Sequence, residues 1–218
     1  MNAIQKSFFR ADVYRILALG FDIPTQEHQN EMRAIIEDLL ENVELPELKV
    51  FLKILKTKPE KLEEEYTKLF VTKVECPFYE GSYHLAERGP VLGDITAFYN
   101  AFHIKAMPME GPPDAIKMEL GFLSFMALKE ANAIQNKSPQ DIQITEAAEA
   151  KFIEDHLGRW GEMFAERLQE STDSPFYIIL AKFLKNWIKM ECKHWNIKPV
   201  RLPSLLPQTE TNPVQCSF

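Results

Sequence analysis

Apolar residues recur along the chain at intervals of three and four, which is the spacing of one face of an α-helix. The clearest case follows a polar corner at residues 110–114, where four side chains share one face: Ile116, Leu120, Leu123 and Ala127. Other large apolar side chains fill the flanking faces, and a helix this apolar has to be enclosed by other helices. The pattern therefore predicts a central core helix that begins directly after the corner.

Seven further segments show this period or carry residues that begin helices. Thr25 is placed to cap the second helix, Pro59 stands at the first position of the fourth, and Ser174–Pro175 precedes the last. The predicted helices span about residues 7–19, 26–40, 46–55, 60–70, 92–102, 114–133, 145–169 and 175–193. We predict an all-α, single-domain bundle of about eight helices over residues 1–198, a hinge near 136–141 and an irregular tail at 199–218.

Composition and charge narrow the class of protein. The 218 residues are 45% hydrophobic with only eight glycines, which suits a helical protein with a buried core. A net charge of −7 argues against a nucleic-acid partner and favours a basic peptide. Three scattered cysteines fit a reducing compartment, and no stretch reaches the ~20 apolar residues of a membrane span. These features predict a cytoplasmic protein without stable membrane insertion.

Known catalytic and metal-binding patterns are missing from the sequence. There is no glycine-rich phosphate loop and no Cys-x-x-Cys, and the five histidines lack the paired spacing of a zinc helix. His156 lies on the apolar face of its helix, where a hydrogen-bonded core histidine is more common than a general base. We therefore predict no catalytic residue, no metal and no cofactor. A small helical enzyme using Glu80, Asp114 and His156 stays open as an alternative.

Two segments stand out as candidate binding surfaces. The helical period disappears between residues 71 and 89, and this loop carries Phe78, Tyr79 and Tyr83 close together. The second segment is the Pro112–Asp114 corner, which is rigid because proline fixes φ. Rings and prolines lose little conformational entropy on binding, and Glu80 and the corner carboxylate could grip a cation. The opposite interpretation is that the rings fill the core and that the aspartate only caps the central helix.

Several motifs, in this order, resemble the TorD/DmsD/NarJ family of redox-enzyme maturation chaperones. They are Glu65–Phe70 (EYTKLF), Pro77–Glu80 (PFYE), Phe98–Tyr99 and Pro112–Ile116 (PPDAI) with Glu119–Leu120. The later Phe152, His156, Leu157 and Trp160 extend the resemblance over most of the chain. One departure is Ala115, because members that bind export signals often carry histidine after the aspartate.

The resemblance implies a chaperone without catalytic activity. Its partner would be the catalytic subunit of a molybdopterin-dependent oxidoreductase, bound through its twin-arginine signal peptide or another segment and held back until the cofactor is inserted. Leu69, Phe70, Pro77 and Tyr79 would form the apolar side of a binding groove. Glu80 belongs to the same candidate site, Pro113 and Asp114 would form the polar lip, and Glu119 would stabilise the lip or the helix start.

Two questions stay open at the level of the sequence. One is whether the protein is instead a permanent structural subunit of a respiratory redox complex, which would need a broad apolar interface. The other is whether it is a monomer or a dimer that exchanges helices through the hinge at 136–141.

Overall fold

The computed structural model describes residues 1–44, 46–85, 87–104 and 111–203, and these ranges contain nine α-helices and no strand. The helices are α1 Ala3–Gly20, α2 Gln26–Asn42, α3 Pro46–Ile54, α4 Pro59–Tyr66, α5 Arg88–Ala101, α6 Ile116–Gln135, α7 Pro139–Phe152, α8 Gly158–Ser171 and α9 Pro175–Trp195. A π-helical segment at Ile153–Leu157 joins α7 to α8, so these two form one continuous run. The predicted all-α class is confirmed.

Most helices begin where the local sequence indicates. The Thr25 hydroxyl accepts a 3.0 Å hydrogen bond from the His28 backbone N–H at the start of α2. Pro59 and Pro175 occupy the first turns of α4 and α9, where their missing N–H removes no helical bond. The long run through α7 begins at Pro139, about six residues earlier than predicted, because this proline follows Ser138 in the same start pattern.

The core is organised around α1 and α6, which pack antiparallel. The Ser124 hydroxyl of α6 donates to the Ala11 carbonyl of α1 at 2.9 Å. At the far end of α1, Lys117 Nζ lies 2.5 Å from Asp22 Oδ1. Most large side chains of α6 are buried, and the exposed exceptions are Phe125 at 37% and Leu128 at 45%. The predicted central helix is therefore confirmed, and the start of α6 lies beside the end of α1.

A buried charge network ties α1 to three other helices. The guanidinium of Arg10 contacts Glu130 at 2.8 Å, Glu149 at 2.5 Å and Glu191 at 2.7 Å, and all four side chains are almost fully buried. Tyr14 adds a 2.8 Å hydrogen bond from its hydroxyl to Glu191. Burial, opposed by Arg10, raises the pKa of Glu149 to about 8. The network therefore favours a proton on Glu149 more than an exposed glutamate would.

The break between α6 and α7 is short, and Lys137 adopts a positive φ of 54° within it. Helix exchange through this segment stays a prediction, as does the boundary of the domain at residue 198. At the other end of the described chain, Leu202 is buried and its N–H donates to the Arg159 carbonyl at 3.1 Å. Most of the predicted irregular tail, residues 204–218, lies outside the described residues.

Candidate functional site

The aromatic loop and the proline corner meet through the backbone. Tyr79 and Ala115 form an isolated antiparallel β-bridge, and the Glu80 N–H donates to the Asp114 carbonyl at 2.9 Å. Tyr99 of α5 holds the corner from its other side, because its hydroxyl donates to the Pro113 carbonyl at 2.8 Å. Two segments that are more than thirty residues apart in the chain are therefore held together as one site.

At this junction an internal guanidinium is held between a carboxylate and an aromatic ring. Arg88 donates from Nε to Asp114 Oδ2 at 2.7 Å and from Nη2 to Oδ1 at 2.5 Å, which is a two-pronged ion pair. The same guanidinium carbon lies 4.6 Å from the centre of the Tyr79 ring, within the range of a cation–π contact. We call Tyr79, Gly81 and Asp114 the arginine clamp.

Gly81 completes the clamp in two ways. Its backbone N–H donates to Asp114 Oδ2 at 3.2 Å, which supports the carboxylate in the orientation that meets Arg88. A Cβ atom at this position would collide with the aliphatic part of the Arg88 side chain. A glycine is therefore needed for a guanidinium to lie this close to the loop backbone.

The two charged partners differ sharply in their exposure to water. The Asp114 side chain is fully buried, whereas that of Arg88 is 41% exposed. Asp114 does not cap α6, contrary to one interpretation of the sequence, because the N-cap position belongs to Ala115 and the carboxylate turns toward Arg88 instead. Ala115 is itself fully buried, so this position offers no polar group to a ligand.

Behind the clamp, Glu80 holds two histidines. Its two carboxylate oxygens lie 2.9 Å from His84 Nε2 and 2.9 Å from His156 Nδ1. The other ring nitrogen of His156 lies 3.3 Å from Asp94 Oδ2, without the alignment of a hydrogen bond. His156 is a buried, hydrogen-bonded histidine, as its place on an apolar helix face predicts.

Glu119 is a further buried carboxyl group behind the clamp. Its side chain is fully buried, and Oε2 accepts a 3.2 Å hydrogen bond from the indole N–H of Trp160. Its other oxygen has no hydrogen-bond partner among the described residues. Burial, and then the negative charge of Glu80, raise the pKa of Glu119 far above its ordinary value. The shift favours the neutral form of this carboxyl group, and a role in stabilising the lip or the helix start stays a prediction.

The eight residues predicted for the binding site fall into two groups. Those that reach the surface in part are Pro77, Tyr79 and Pro113, and those that are buried are Leu69, Phe70, Glu80, Asp114 and Glu119. The prediction that Leu69 and Phe70 line the apolar side of a groove differs from their position in the structure. Phe70 packs edge-on against Phe78 at 5.3 Å and Tyr177 at 5.7 Å, so it supports the loop from beneath.

Sequence reasoning missed Arg88, which provides the charge opposite Asp114. No spacing relates the two residues, because α5 brings the arginine to the corner only after the chain has folded. The alternative catalytic set is also close in space, since Glu80 contacts His156 and its N–H meets the corner. In the structure, however, both carboxylates of this set are paired with basic side chains of the same protein. Asp114 contacts Arg88, and Glu80 contacts His84 and His156.

The described residues contain no group of three or more His, Cys, Asp or Glu side chains placed to hold a metal ion. None of the described helices is both long enough and apolar enough to span a bilayer.

Comparison with known proteins places this architecture among relatives. The sequence model of the nitrate reductase delta subunit family matches residues 26–166. A perchlorate reductase assembly chaperone protein from Dechloromonas aromatica is 26% identical over 207 residues, covering 86% of this chain and 90% of the relative. A crystal structure of a redox enzyme maturation protein from Archaeoglobus fulgidus shares the fold, with a TM-score of 0.55 and 20% identity. That match covers 83% of this chain and 93% of the other.

Proposed function

Because the chain belongs to the nitrate reductase delta subunit family, we propose that it is an assembly chaperone for the catalytic subunit of a molybdopterin-dependent reductase. Family membership agrees with the resemblance to TorD/DmsD/NarJ proteins found in the sequence motifs. The relative from Dechloromonas aromatica carries an assembly-chaperone name for perchlorate reductase, which supports a reductase as the partner. A chaperone needs no catalytic group. This agrees with Glu80 and Asp114, whose carboxylates pair with basic side chains of the same protein.

The observation that carries the proposal further is the arginine clamp. A buried carboxylate that receives two parallel N–H bonds, with an aromatic ring against the guanidinium, is the arrangement by which proteins recognise arginine. The clamp already holds one arginine of its own chain, so its dimensions are known to fit the group. We infer that an arginine in a segment of the reductase subunit, such as a twin-arginine export signal, takes the place of Arg88.

An arginine of the reductase segment, here called the client segment, can replace Arg88 because Asp114 is paired with one positive charge before and after the exchange. Asp114 would be costly to leave unpaired, since a buried carboxylate that loses its hydrogen-bonded partner destabilises the fold by about 1–3 kcal/mol. Arg88 is partly exposed and can be rehydrated when it leaves. The net gain then comes from the rest of the client segment, whose apolar side chains can pack on the partly exposed Tyr79 and Pro113.

Binding of this kind would hold the client segment in the chaperone while the reductase subunit receives its cofactor. A segment kept in the clamp is unavailable to the export machinery, and competition from Arg88 keeps the affinity moderate enough for later release. Glu80, Glu119 and the two histidines serve as the rigid base that positions the loop and the corner.

The test is affinity purification of the tagged protein from its source cells, followed by identification and metal analysis of the bound protein. We expect one molybdopterin-dependent reductase catalytic subunit, recovered without its cofactor and released once the cofactor is supplied. Asp114→Asn is expected to reduce this recovery, whereas Glu64→Gln on the exposed face of α4 should not. A constant complex with the cofactor-loaded enzyme would instead favour a structural subunit, and recovery of no oxidoreductase would overturn the proposal.

A further inference from the structure

A row of titratable side chains runs from the exposed side of α5 to the loop of the arginine clamp. Asp94 of α5 has its Oδ2 3.3 Å from His156 Nε2, and His156 Nδ1 lies 2.9 Å from Glu80 Oε2. The Glu80 backbone N–H donates in turn to the carbonyl of Asp114. The surface of α5 is therefore connected to the clamp through two buried side chains.

The imidazole of His156 makes a hydrogen bond at one nitrogen only. Its side chain is almost fully buried, and Nε2 has no hydrogen-bond partner among the described residues, although Asp94 is close by. A neutral imidazole carries one N–H, so it can donate to only one of two carboxylates. A protonated imidazole carries two and can donate to both Glu80 and Asp94. Protonation therefore adds a charge-assisted bond to α5 after a small shift of the Asp94 side chain, which is 61% exposed.

The other titratable side chains around His156 come from each element packed against it. They are His84 on the loop, Tyr99 on α5, Glu119 on α6, and Lys151 and Asp155 on the same helical run. Lys151 is the cation of this set, and its Nζ pairs with Asp155 at 2.5 Å. A proton on His156 Nε2 would thus bring a donor directly to the Asp94 carboxylate.

The half of α5 that carries Arg88 is held to the rest of the protein by few contacts. Residues 88–94 include no buried residue, and the buried positions of this helix begin at Ile95. Gly89 and Gly93 each lower the helix propensity by about 1 kcal/mol relative to alanine. A Cβ at either position would meet no atom within 4 Å, so packing inside the protein does not require these glycines. One added bond can therefore change how firmly this half of the helix is held.

We propose that Asp94 is a positioning residue of the arginine clamp: when His156 is protonated, Asp94 binds its imidazole and holds the first half of α5, with Arg88, against the clamp. Asp94 follows Arg88 by six residues, or about 9 Å along the helix, so a bond at Asp94 limits the movement of the end that carries the arginine. The inference rests on the proposed exchange of Arg88 for a client arginine. A firmly held Arg88 competes better, and histidine ordinarily titrates between pH 5 and 8, so client binding is weaker at pH 6 than at pH 8.

The first test measures α5 itself and needs no client. Hydrogen–deuterium exchange of the full-length protein is compared at pH 6 and pH 8, with each rate divided by the intrinsic exchange rate at that pH. The amides of Val91, Leu92 and Gly93 should be about tenfold better protected at pH 6. Asp94→Asn keeps the size of the side chain and removes its charge, so it should give equal protection at the two pH values.

Glu154→Gln is the matched control for Asp94→Asn. Glu154 is exposed on the π-helical segment that carries His156, and its replacement should keep the difference in protection between pH 6 and pH 8. Equal protection at the two pH values in the unchanged protein would overturn the proposal. A difference that persists in Asp94→Asn would overturn it as well, because the acid would then act through another group.

The second test measures competition at the clamp by NMR titration with N-acetylarginine N-methylamide. The unchanged protein should bind this probe about 3–10-fold more weakly at pH 6 than at pH 8. Arg88→Ala removes the internal competitor, so it should bind the probe more tightly and equally at both pH values. Asp94→Asn keeps the competitor and should also bind equally at both.

The outcomes separate this inference from the proposed function. A pH difference in affinity that persists in Arg88→Ala would overturn the inference, because the acid would then act on the clamp rather than on its internal occupant. Absence of probe binding at either pH, in the unchanged protein and in Arg88→Ala, would contradict the proposed function. The exchange difference between the unchanged protein and Asp94→Asn would in that case still support the bond from Asp94 to His156.

Discussion

Arg88 and Asp114 form an ion pair in which the aspartate side chain is fully buried while the arginine side chain is 41% exposed. This difference matters because the free-energy cost of separating the pair is unequal for the two side chains. The buried carboxylate always needs a cation, but the exposed arginine can leave for water. An internal arginine in such a position is therefore suited to be an exchangeable occupant of the site.

Removal of this internal occupant gives the first prediction. Arg88→Ala leaves the Asp114 carboxylate without its cation, and the free energy of unfolding should fall by about 1–3 kcal/mol. Millimolar methylguanidinium should restore part of the melting temperature of this variant, because it can enter the arginine clamp. Thermal melts with and without methylguanidinium measure both effects.

Arg15→Ala is the matched control for this experiment. Arg15 pairs with Glu31 at 2.7 Å, but both side chains are about one-third exposed, so no buried carboxylate is orphaned. It should lose little stability and gain nothing from methylguanidinium. Equal rescue of the two variants would mean that methylguanidinium acts on the whole protein rather than in the clamp.

The aromatic part of the clamp can be separated from the core by comparing neighbouring rings. Tyr79 stacks on Phe78 at 4.4 Å but is only partly buried, and its outer face meets Arg88. Tyr79→Ala should weaken binding of an arginine-containing client peptide by about 1–2 kcal/mol while changing the melting temperature little. Isothermal titration and thermal melts test the two parts of this expectation.

Phe78→Ala provides the contrast, because this ring is 8% exposed and packs against Phe70. It should lower the free energy of unfolding by about 3–5 kcal/mol. If Tyr79→Ala were as destabilising as Phe78→Ala and the folded fraction still bound the peptide normally, the Tyr79 ring would be a core element and not part of a binding surface.

Stability should depend on pH through Glu149. Burial raises the folded pKa of Glu149 to about 8 from an ordinary value near 4.5, despite the partial compensation from Arg10. Its contribution to stability is therefore complete below pH 4.5 and is lost as the pH rises through 8. Glu149→Gln should be more stable than the unchanged protein at pH 9, on the order of a few kcal/mol, with a smaller difference at pH 5.5.

Urea unfolding at the two pH values measures this difference, with Glu146→Gln on the same helix as the control. Glu146 is outside the buried network of Arg10, so its replacement should change the free energy of unfolding by the same amount at both pH values. A Glu149→Gln protein that is less stable than the unchanged protein at pH 9 would contradict this prediction, because the ionised carboxylate would then stabilise the fold instead of opposing it.

Glu119 offers a related prediction at the base of the clamp. Burial and the charge of Glu80 raise the pKa of Glu119 well above its ordinary value and so favour its neutral form, and a glutamine has nearly the same shape as a protonated glutamate. Glu119→Gln should therefore change the free energy of unfolding at pH 7 by less than ~1 kcal/mol, with the Trp160 N–H still bonded to the amide oxygen. Arg10→Gln, which leaves buried carboxylates unpaired, should cost about 3–5 kcal/mol in the same urea assay. Equal losses in the two variants would contradict a neutral Glu119.

The sequence predicts those features that depend on residues close together in the chain, and it does not predict contacts between residues that are far apart in the chain. Helix starts such as Thr25 and Pro59 depend on residues within one turn, so the local sequence identifies them correctly. The approach of Tyr79 to Asp114 could be anticipated because both segments interrupt the helical period with residues suited to a surface. Phe70 is predicted to line a groove but lies beneath the loop, because an aromatic residue shows the same sequence pattern in a groove wall and in the core.

Pairs between distant helices have no such local signal. Arg88 and Asp114 are 26 residues apart, and Arg10 is 181 residues from Glu191, so only the packed bundle brings them together. Arg10 also lies in a helix whose pattern indicates a half-buried face, on which an arginine would normally be solvated. The charge of Arg10 can be buried because three carboxylates from other helices surround it in the folded protein.

The arginine clamp is predicted to bind an arginine of the client reductase through Asp114. The most direct measurement is a thermodynamic cycle by isothermal titration, with the arginine-containing segment of the recovered reductase subunit and a matched peptide in which citrulline replaces the arginine. In the unchanged protein, citrulline should weaken binding about tenfold or more; in Asp114→Asn, with folding verified by thermal melts, it should change binding little. The same citrulline penalty in both proteins would contradict the claim, because the arginine would then bind elsewhere.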